Sequence, residues 1–285
     1  MQKKIGIYPN INKEITPLIL ARLTDYLSAQ GAEFCIPADI ASTMGYAAQA
    51  LDRELMPHEI SIALTLGGDG TLLTVAKELA PHSVPICGIN LGQLGFLTQI
   101  NIDELEKGIE NIITNNFTVE ERIMLNSAII RDGKEMAIPL ALNDAVISKG
   151  SFARLIRLKL YIAGQLTATY PADGIIISTS TGSTGYSLSA GGPIIGPNLK
   201  VVVITPICPH TLNARSIVIN GKEEIAVEVQ ATHCDMALTI DGQKVYELLP
   251  DDVVKIYRAT QKARFVRFKN NGFYQTLYGK LGRND

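Results

Sequence analysis

The chain reads as an α/β N-terminal domain with a parallel sheet, a β-rich C-terminal domain, and a C-terminal tail that returns to the first domain. Three observations lead there. Apolar strand-like runs alternate with helical periodicity up to about residue 121. Turn dipeptides then recur as Asp132-Gly133, Ala163-Gly164, Asn220-Gly221 and Asp241-Gly242, each a hairpin signal. The last segment regains the texture of the first. The expected boundaries are 1–121 for the α/β domain, 122–257 for the β-rich domain and 258–285 for the tail. A chain of 285 residues with 46% hydrophobic content can bury the cores that two domains require.

Taken in order, Lys4 to Tyr8 is strand-like, Lys13 to Gln30 has helical spacing, Glu33 to Pro37 is a second strand, and a helix is expected near Met44 to Leu51. Ile60, Ile62, Leu64 and Leu66 alternate with Ser61, Ala63 and Thr65, the period of a strand. Leu72, Leu73, Ala76, Leu79 and Ala80 then recur at helical spacing. Pro85 to Asn90 adds a buried strand, Leu91 to Phe96 a second glycine-rich loop, and Ile102 to Asn115 a helix. In the tail, Arg264, Phe265, Val266, Arg267 and Phe268 alternate, and Tyr274, Leu277 and Tyr278 are spaced for a helix.

Composition excludes several classes. A formal charge of −2, from 26 basic and 28 acidic residues, provides no electrostatic footprint for nucleic acid or an anionic membrane. Cys35, Cys87, Cys208 and Cys234 are scattered without a C-x-x-C pair, so reduced thiols are expected rather than a zinc site or a disulfide framework. His58, His82 and His233 show no ligand spacing, and His210 sits in a proline frame without an evident catalytic partner. With no signal-peptide core and no apolar run of membrane length, the expected compartment is the cytoplasm.

Chemistry concentrates in three clusters. In Gly67-Gly68-Asp69-Gly70-Thr71-Leu72-Leu73 a strand passes through three glycines into a helix. Backbone N–H groups at such a turn can approach an anion without Cβ obstruction, and a helix N-terminus favours negative charge. Gly67, Gly68, Gly70 and Thr71 therefore form a candidate phosphate loop. Asp69 would repel phosphate, so it reads as a proton acceptor or metal partner; the plain alternative is a tight turn with Asp69 capping its helix. In the second cluster, Asn143 and Asp144 interrupt an apolar run from Leu140 to Val146. A ligand with several hydroxyls would satisfy both, and an Asx-turn between strands would as well. The third cluster runs from Ala172 to Pro193, where Ile175 to Ile177 open into hydroxyls and glycines suited to sugar and phosphate oxygens, with Tyr186 able to lie on a base. A flexible Ser/Thr/Gly linker is the bland alternative. There is neither a G-x-x-x-x-G-K-[ST] P-loop nor a G-x-G-x-x-G in the chain.

Taken together, GGDGTLL at Gly67 to Leu73, LND at Leu142 to Asp144, ADG with TGSTGYSLSAGGP between Ala172 and Pro193, and TPICPHTL at Thr205 to Leu212 resemble the bacterial NAD kinase family over most of the chain. GGDG alone is shared with lipid, sphingosine and sugar kinases; the other blocks in this order are specific. The resemblance implies phosphoryl transfer from ATP, or in some members polyphosphate, to the 2′-hydroxyl of the adenosine ribose of NAD, giving NADP. It also implies a divalent metal, expected as Mg²⁺ carried on the donor phosphates with no protein ligand named, and a homo-oligomer, dimer or tetramer. By position it makes Asp69 the general base with Gly70 beside the substrate. It puts Asn143, Asp144, Asp173, Thr184, Gly185, Tyr186, Ser187, Leu188, Ser189, Arg154 and Gln243 on NAD, with Phe96 near adenine. Two departures stand out: Thr74 occupies a position that is basic in many members, and Gly185 replaces a more usual alanine. An NAD sensor without catalysis, and a lipid or sugar kinase sharing GGDG, are the rival readings.

Overall fold

The computed structural model describes residues 4–92, 95–150, 155–232, 235–268 and 273–281. It divides into two compact units, Met1–Glu121 with Ala263–Asp285, and Arg122–Lys262.

The first unit contains β1 (Lys4–Pro9), α1 (Thr16–Ala29), β2 (Phe34–Pro37), α2 (Ala38–Met44), β3 (Ala50–Leu51), α3 (Met56–Glu59), β4 (Ile60–Gly67), α4 (Asp69–Leu79), β5 (Pro85–Asn90), β6 (Ile100–Asn101) and α5 (Leu105–Ile113). Its strands pair in parallel in the order β5-β4-β1-β2-β3. β4 is buried at every residue except Ser61, as a central parallel strand covered on both faces must be. Ile7, Leu64, Leu66, Cys87 and Ile89 pack there against Ile19, Leu20 and Leu23 of α1 and Ile109 of α5. The chain leaves β1 for β2 on one side while β4 leads to β5 on the other, so the sheet switches direction between β1 and β4. In open α/β sheets ligands bind beyond the strand C-termini at such a point. Here those C-termini are Pro9 and Gly67, and they are tied together where the Asn10 N–H donates to the Leu66 carbonyl at 2.8 Å.

The helix expected near Met44 to Leu51 is displaced and interrupted, leaving within that span only a 3-10 turn at Ala47–Gln49. α2 ends at Met44, Gly45 adopts a left-handed φ of 84°, and Ala50 and Leu51 extend as β3 on β2. A glycine with positive φ is a helix stop, and it outweighs the apolar spacing on either side.

The second unit contains β7 (Thr118–Arg131, entering from the first unit), β8 (Lys134–Ala141), β9 (Asp144–Lys149), β10 (Ile156–Ile162), β11 (Gln165–Ala172), β12 (Gly174–Thr179), the short α6 (Tyr186–Ser189), β13 (Val201–Ile207), β14 (Ile217–Asn220), β15 (Ile225–Gln230), β16 (Met236–Ile240), β17 (Lys244–Leu248) and the start of β18 (Val253–Arg267). A six-stranded antiparallel sheet runs β14-β13-β12-β9-β16-β17, and the other strands build β11-β10-β15-β18 with β7 on β8. Leu158, Val227, Ile175, Ile177, Ile147 and Leu238 from both groups of strands share one core.

Three of the four turn dipeptides close hairpins, and in each both residues have positive φ: Asp132 and Gly133, Ala163 and Gly164, Asp241 and Gly242. Asn220-Gly221 does not. β14 pairs with β13 and β15 with β10, so this segment passes from one sheet to the other. Gly221 serves a different need there: an added Cβ would stand 2.8 Å from the Lys200 carbonyl oxygen, to which the Gly221 N–H donates.

The tail rejoins the first unit. Arg264 and Phe265, at the end of β18, pair in parallel with Pro85 and Ile86 of β5, and Val266 enters the first core. α7 (Phe273–Leu281) follows. Among the described residues no helix is long and apolar enough to cross a membrane.

Leu64 is fully buried in the most enclosed strand of the first core. Leu64→Ala is expected to cost about 2 to 5 kcal/mol of stability, read from urea unfolding of the whole chain.

Candidate active site

In the first unit the turn after β4 is built by close approach. A Cβ on Gly67 would collide with Thr71, whose hydroxyl accepts a hydrogen bond from the Asn10 amide at 3.0 Å. Asn10 follows β1 and Thr71 lies in the first turn of α4, so this bond spans the switch point. Gly68 is the extended N-cap of α4. A Cβ on Gly68 or Gly70 would meet nothing within 4 Å, so the backbone is open on that side.

Asp69 does not cap its own helix. Its carboxylate accepts the N–H of Phe96 at 2.8 Å and of Leu97 at 3.2 Å, both from the second glycine-rich loop. The capping alternative is thereby replaced by a long-range tie. Gly95 makes it possible, since a Cβ there would fall on the Asp69 carboxylate. Phe96, half-buried, lies 6.3 Å from Phe273 between ring centroids, and the Lys280 ammonium stands 4.5 Å from the Phe96 ring centre. Thr74 is exposed on α4, with its hydroxyl donating back to the Gly70 carbonyl at 3.3 Å. Gln93 and Leu94 of the second loop lie outside the described residues.

In the second unit Asn143 and Asp144 sit where β8 gives way to β9. Asp144 is 5% exposed, and burial first, then the charge of Asp241, push its carboxyl up to about 7. Asp241 accepts the backbone N–H groups of Leu142 at 3.1 Å, Asn143 at 2.8 Å and Asp144 at 3.1 Å, and its own N–H donates to the Asp144 carbonyl at 3.0 Å. The chain is further tied to β12 through Thr179, whose N–H donates to the Asn143 carbonyl and whose hydroxyl donates to that of Leu142 at 2.6 Å. Gly182 lies against the same carbonyl of Asn143, 2.3 Å from where its Cβ would be, and Gly185 is near the Asn143 amide nitrogen.

The hydroxyl-rich segment is not a linker. Ser178, Thr179, Ser180, Ser183 and Ser187 are buried, and their hydroxyls are used internally. Ser187 in particular is paired with Thr205 at 3.0 Å. Thr184, Gly185 and Leu188 are partly exposed, while Tyr186 and Ser189 are exposed, so the segment turns one edge inward and one outward. Asp173 forms an ion pair with Lys149 at 2.7 Å, and Gln243 is exposed at the tip of the β16–β17 hairpin. Arg154, His233 and Cys234 lie outside the described residues. The structure thus gathers Asn143, Asp144, Thr179, Gly182 and Gly185 around one stretch of backbone in this unit, and Asp69, Gly95, Phe96 and Leu97 around one carboxylate in the other.

Sequence reading missed Asn10, Gly95 and Asp241. Asp241 carried a signal, but as half of a hairpin dipeptide it was accounted for by turn geometry. Among the described residues no group of three or more His, Cys, Asp or Glu side chains is placed to hold a metal ion.

Residues 5–117 match the ATP-NAD kinase N-terminal domain and residues 142–268 the ATP-NAD kinase C-terminal domain. The NAD kinase of Natranaerobius thermophilus is 39% identical over 279 residues, covering 98% of both chains. That of Moorella thermoacetica is 41% identical over 280 residues, 98% of this chain and 89% of that protein. Among solved structures, yeast NADH kinase complexed with NADH superposes with a TM-score of 0.89 at 23% identity, covering 99% of this chain and 88% of that one. An NAD kinase from Archaeoglobus fulgidus in complex with ATP superposes with a TM-score of 0.78 at 24% identity, covering 98% of each. The class is therefore that of a two-domain kinase. The chain belongs to the ATP-NAD kinase family.

Two outcomes follow. Gly95→Ala should displace the Asp69 carboxylate or the loop above it and lower kinase turnover far more than it lowers melting temperature. Asp144 is harder to ionise in the folded than in the unfolded chain, so from about pH 4 to 7 the folded state holds the extra proton and stability falls as pH rises. Asp144→Asn should therefore raise the melting temperature at pH 8, with a gain that shrinks as pH falls through 7.

Proposed function

We propose that this chain is an NAD kinase in which Asp69 is the general base. The observation that carries the assignment is the Asp69 carboxylate itself, at the mouth of the switch point, oriented by the amides of Phe96 and Leu97 and flanked by the open glycines Gly68 and Gly70. Phosphoryl transfer asks a protein to position a hydroxyl in line with the phosphorus and to neutralise charge on phosphate oxygens, with little covalent work. In this reading the N–H groups of Gly67, Gly68, Gly70 and Thr71 cradle donor phosphate. The ribose 2′-hydroxyl of NAD attacks the terminal phosphorus of ATP, Asp69 takes its proton, and ADP leaves.

Asn143 and Asp144 bind ribose hydroxyls in this proposal, Asp144 in its ionised form. Thr184, Gly185, Tyr186, Leu188 and Ser189 line the NAD site with Asp173, Arg154 and Gln243, and Phe96 meets adenine. Ser187 contributes as the support beneath that edge, its hydroxyl being held by Thr205. Thr74 provides a hydroxyl where many relatives would provide a charge.

A divalent ion, proposed as Mg²⁺, fits the donor set: one carboxylate beside an open glycine turn suits an ion that keeps several waters and is carried chiefly by substrate phosphates. When bound, it neutralises phosphate charge. A homo-oligomer, dimer or tetramer, and a cytoplasmic setting in which the free thiols of Cys35 and Cys87 stay reduced, complete the proposal.

The test is NADP formation from NAD, ATP and Mg²⁺, with polyphosphate as an alternative donor. Wild type should form product, and Asp69→Asn should lose about 10² to 10⁴ in turnover with NAD binding largely kept. Wild-type turnover by Asp69→Asn would remove the base from Asp69. NAD binding without product in the wild type would make the chain a sensor.

A further inference from the structure

We propose that Asp241 is a positioning residue for the acceptor nucleotide: its carboxylate fixes the backbone of Leu142, Asn143 and Asp144 so that the Asn143 and Asp144 side chains are presented to ribose hydroxyls. The inference rests on the assignment of those two residues to NAD.

The geometry is that of a carboxylate acting as a template. Three successive backbone N–H groups converge on the two oxygens of one buried side chain, and the return bond from the Asp241 N–H to the Asp144 carbonyl closes the arrangement. Leu142 and Asn143 fall in the gap between β8 and β9 and Asp144 opens β9, and a buried N–H without an acceptor is costly, so Asp241 supplies the acceptor for all three. Ionised acceptors make the stronger hydrogen bonds, so the template is stiff. It comes from far along the chain: Asp241 opens the β16–β17 turn with a left-handed φ of 51°, which aims the side chain back across β9, where Ile240 pairs with Ala145.

A turn alone does not account for this residue. Asp132 and Ala163 open two-residue turns with the same left-handed φ that Asp241 has at the start of its three-residue turn, and Ala163 shows that a left-handed turn position works without a carboxylate. What distinguishes Asp241 is burial, at 8% exposure, and three amides from another segment.

The same proximity has an electrostatic consequence. Asp241 is the charged neighbour that acts on the Asp144 carboxyl, reinforcing the effect of burial in holding it protonated up to about pH 7. An ionised Asp144 accepts hydroxyls, so kcat/KM for NAD in the wild type should rise as pH rises through about 7. Removing the Asp241 charge should move that rise toward lower pH.

The experiment compares wild type, Asp241→Asn, Asp144→Asn and the double variant as full chains, measuring NADP formation across pH 5 to 9 with NAD and ATP varied separately. Product from wild type establishes the parent reading independently of either variant. For Asp241→Asn the expected result is a KM for NAD raised about tenfold or more, a KM for ATP changed less than twofold, and the acid limb of kcat/KM for NAD shifted down in pH. In the Asp144→Asn background the substitution should add much less than it does alone, because the two act on one element. An unchanged acid limb and unchanged KM for NAD, or full additivity in the double variant, would overturn the proposal. If Asp241→Asn does not fold, hydrogen exchange in the unliganded wild type decides: amides of residues 142–144 should be protected, and free exchange there would equally sink the idea.

Discussion

A carboxylate taken out of water must find hydrogen-bond donors, and in each unit one aspartate finds them on the backbone of a distant segment. Asp69 takes the N–H groups of Phe96 and Leu97; Asp241 takes those of Leu142, Asn143 and Asp144. Each tie extends beyond the strand ends a pairing that the sheet begins: β4 with β5 for Asp69, and β16 with β9 for Asp241. Both depend on space that only a neighbouring glycine or a left-handed turn makes available: Gly95 beside Asp69, and the positive φ of Asp241 itself. The rest of the fold is a means of bringing these partners within 3.2 Å.

Asp69 and Asp144 sit in opposite surroundings. Asp69 is half-exposed at a strand-to-helix turn, with its carboxylate held by the amides of the second loop. Asp144 is buried beside another carboxylate and resists ionisation. One residue type is thus placed in two contrasting environments, one open and hydrogen-bonded, the other buried beside a second carboxylate. Burying Asp144 at a cost to stability is typical of a functional position.

Much of this was legible from local pattern. The strand–helix alternation gave the parallel sheet because central strands are continuous apolar runs, and the glycines around Asp69 marked its turn because Gly67 packs directly on Thr71 where a Cβ would not fit. Elements failed where a single backbone angle or a distant partner decided the outcome. Gly45 stopped a helix that the spacing of its neighbours favoured, and Asn220-Gly221 joined two sheets because Gly221 lies on the Lys200 carbonyl. The hydroxyls between Ser178 and Ser187 looked like ligand groups, yet most are consumed by neighbouring carbonyls and by Thr205. Asp241 and Leu142 are 99 positions apart, and no window of sequence contains both.

The first unit is discontinuous: its sheet and core receive Phe265 and Val266 only after Arg122–Lys262 has been traversed. On the ribosome this imposes an order of events. The segment up to Glu121 emerges with the flank of β5 still lacking the end of β18, whereas the second unit is continuous in sequence and can close as soon as Lys262 is out. The Asp69 loop lies in the unit that finishes last. A chain interrupted before Phe265 and Val266 therefore holds the glycine turn without its completed scaffold.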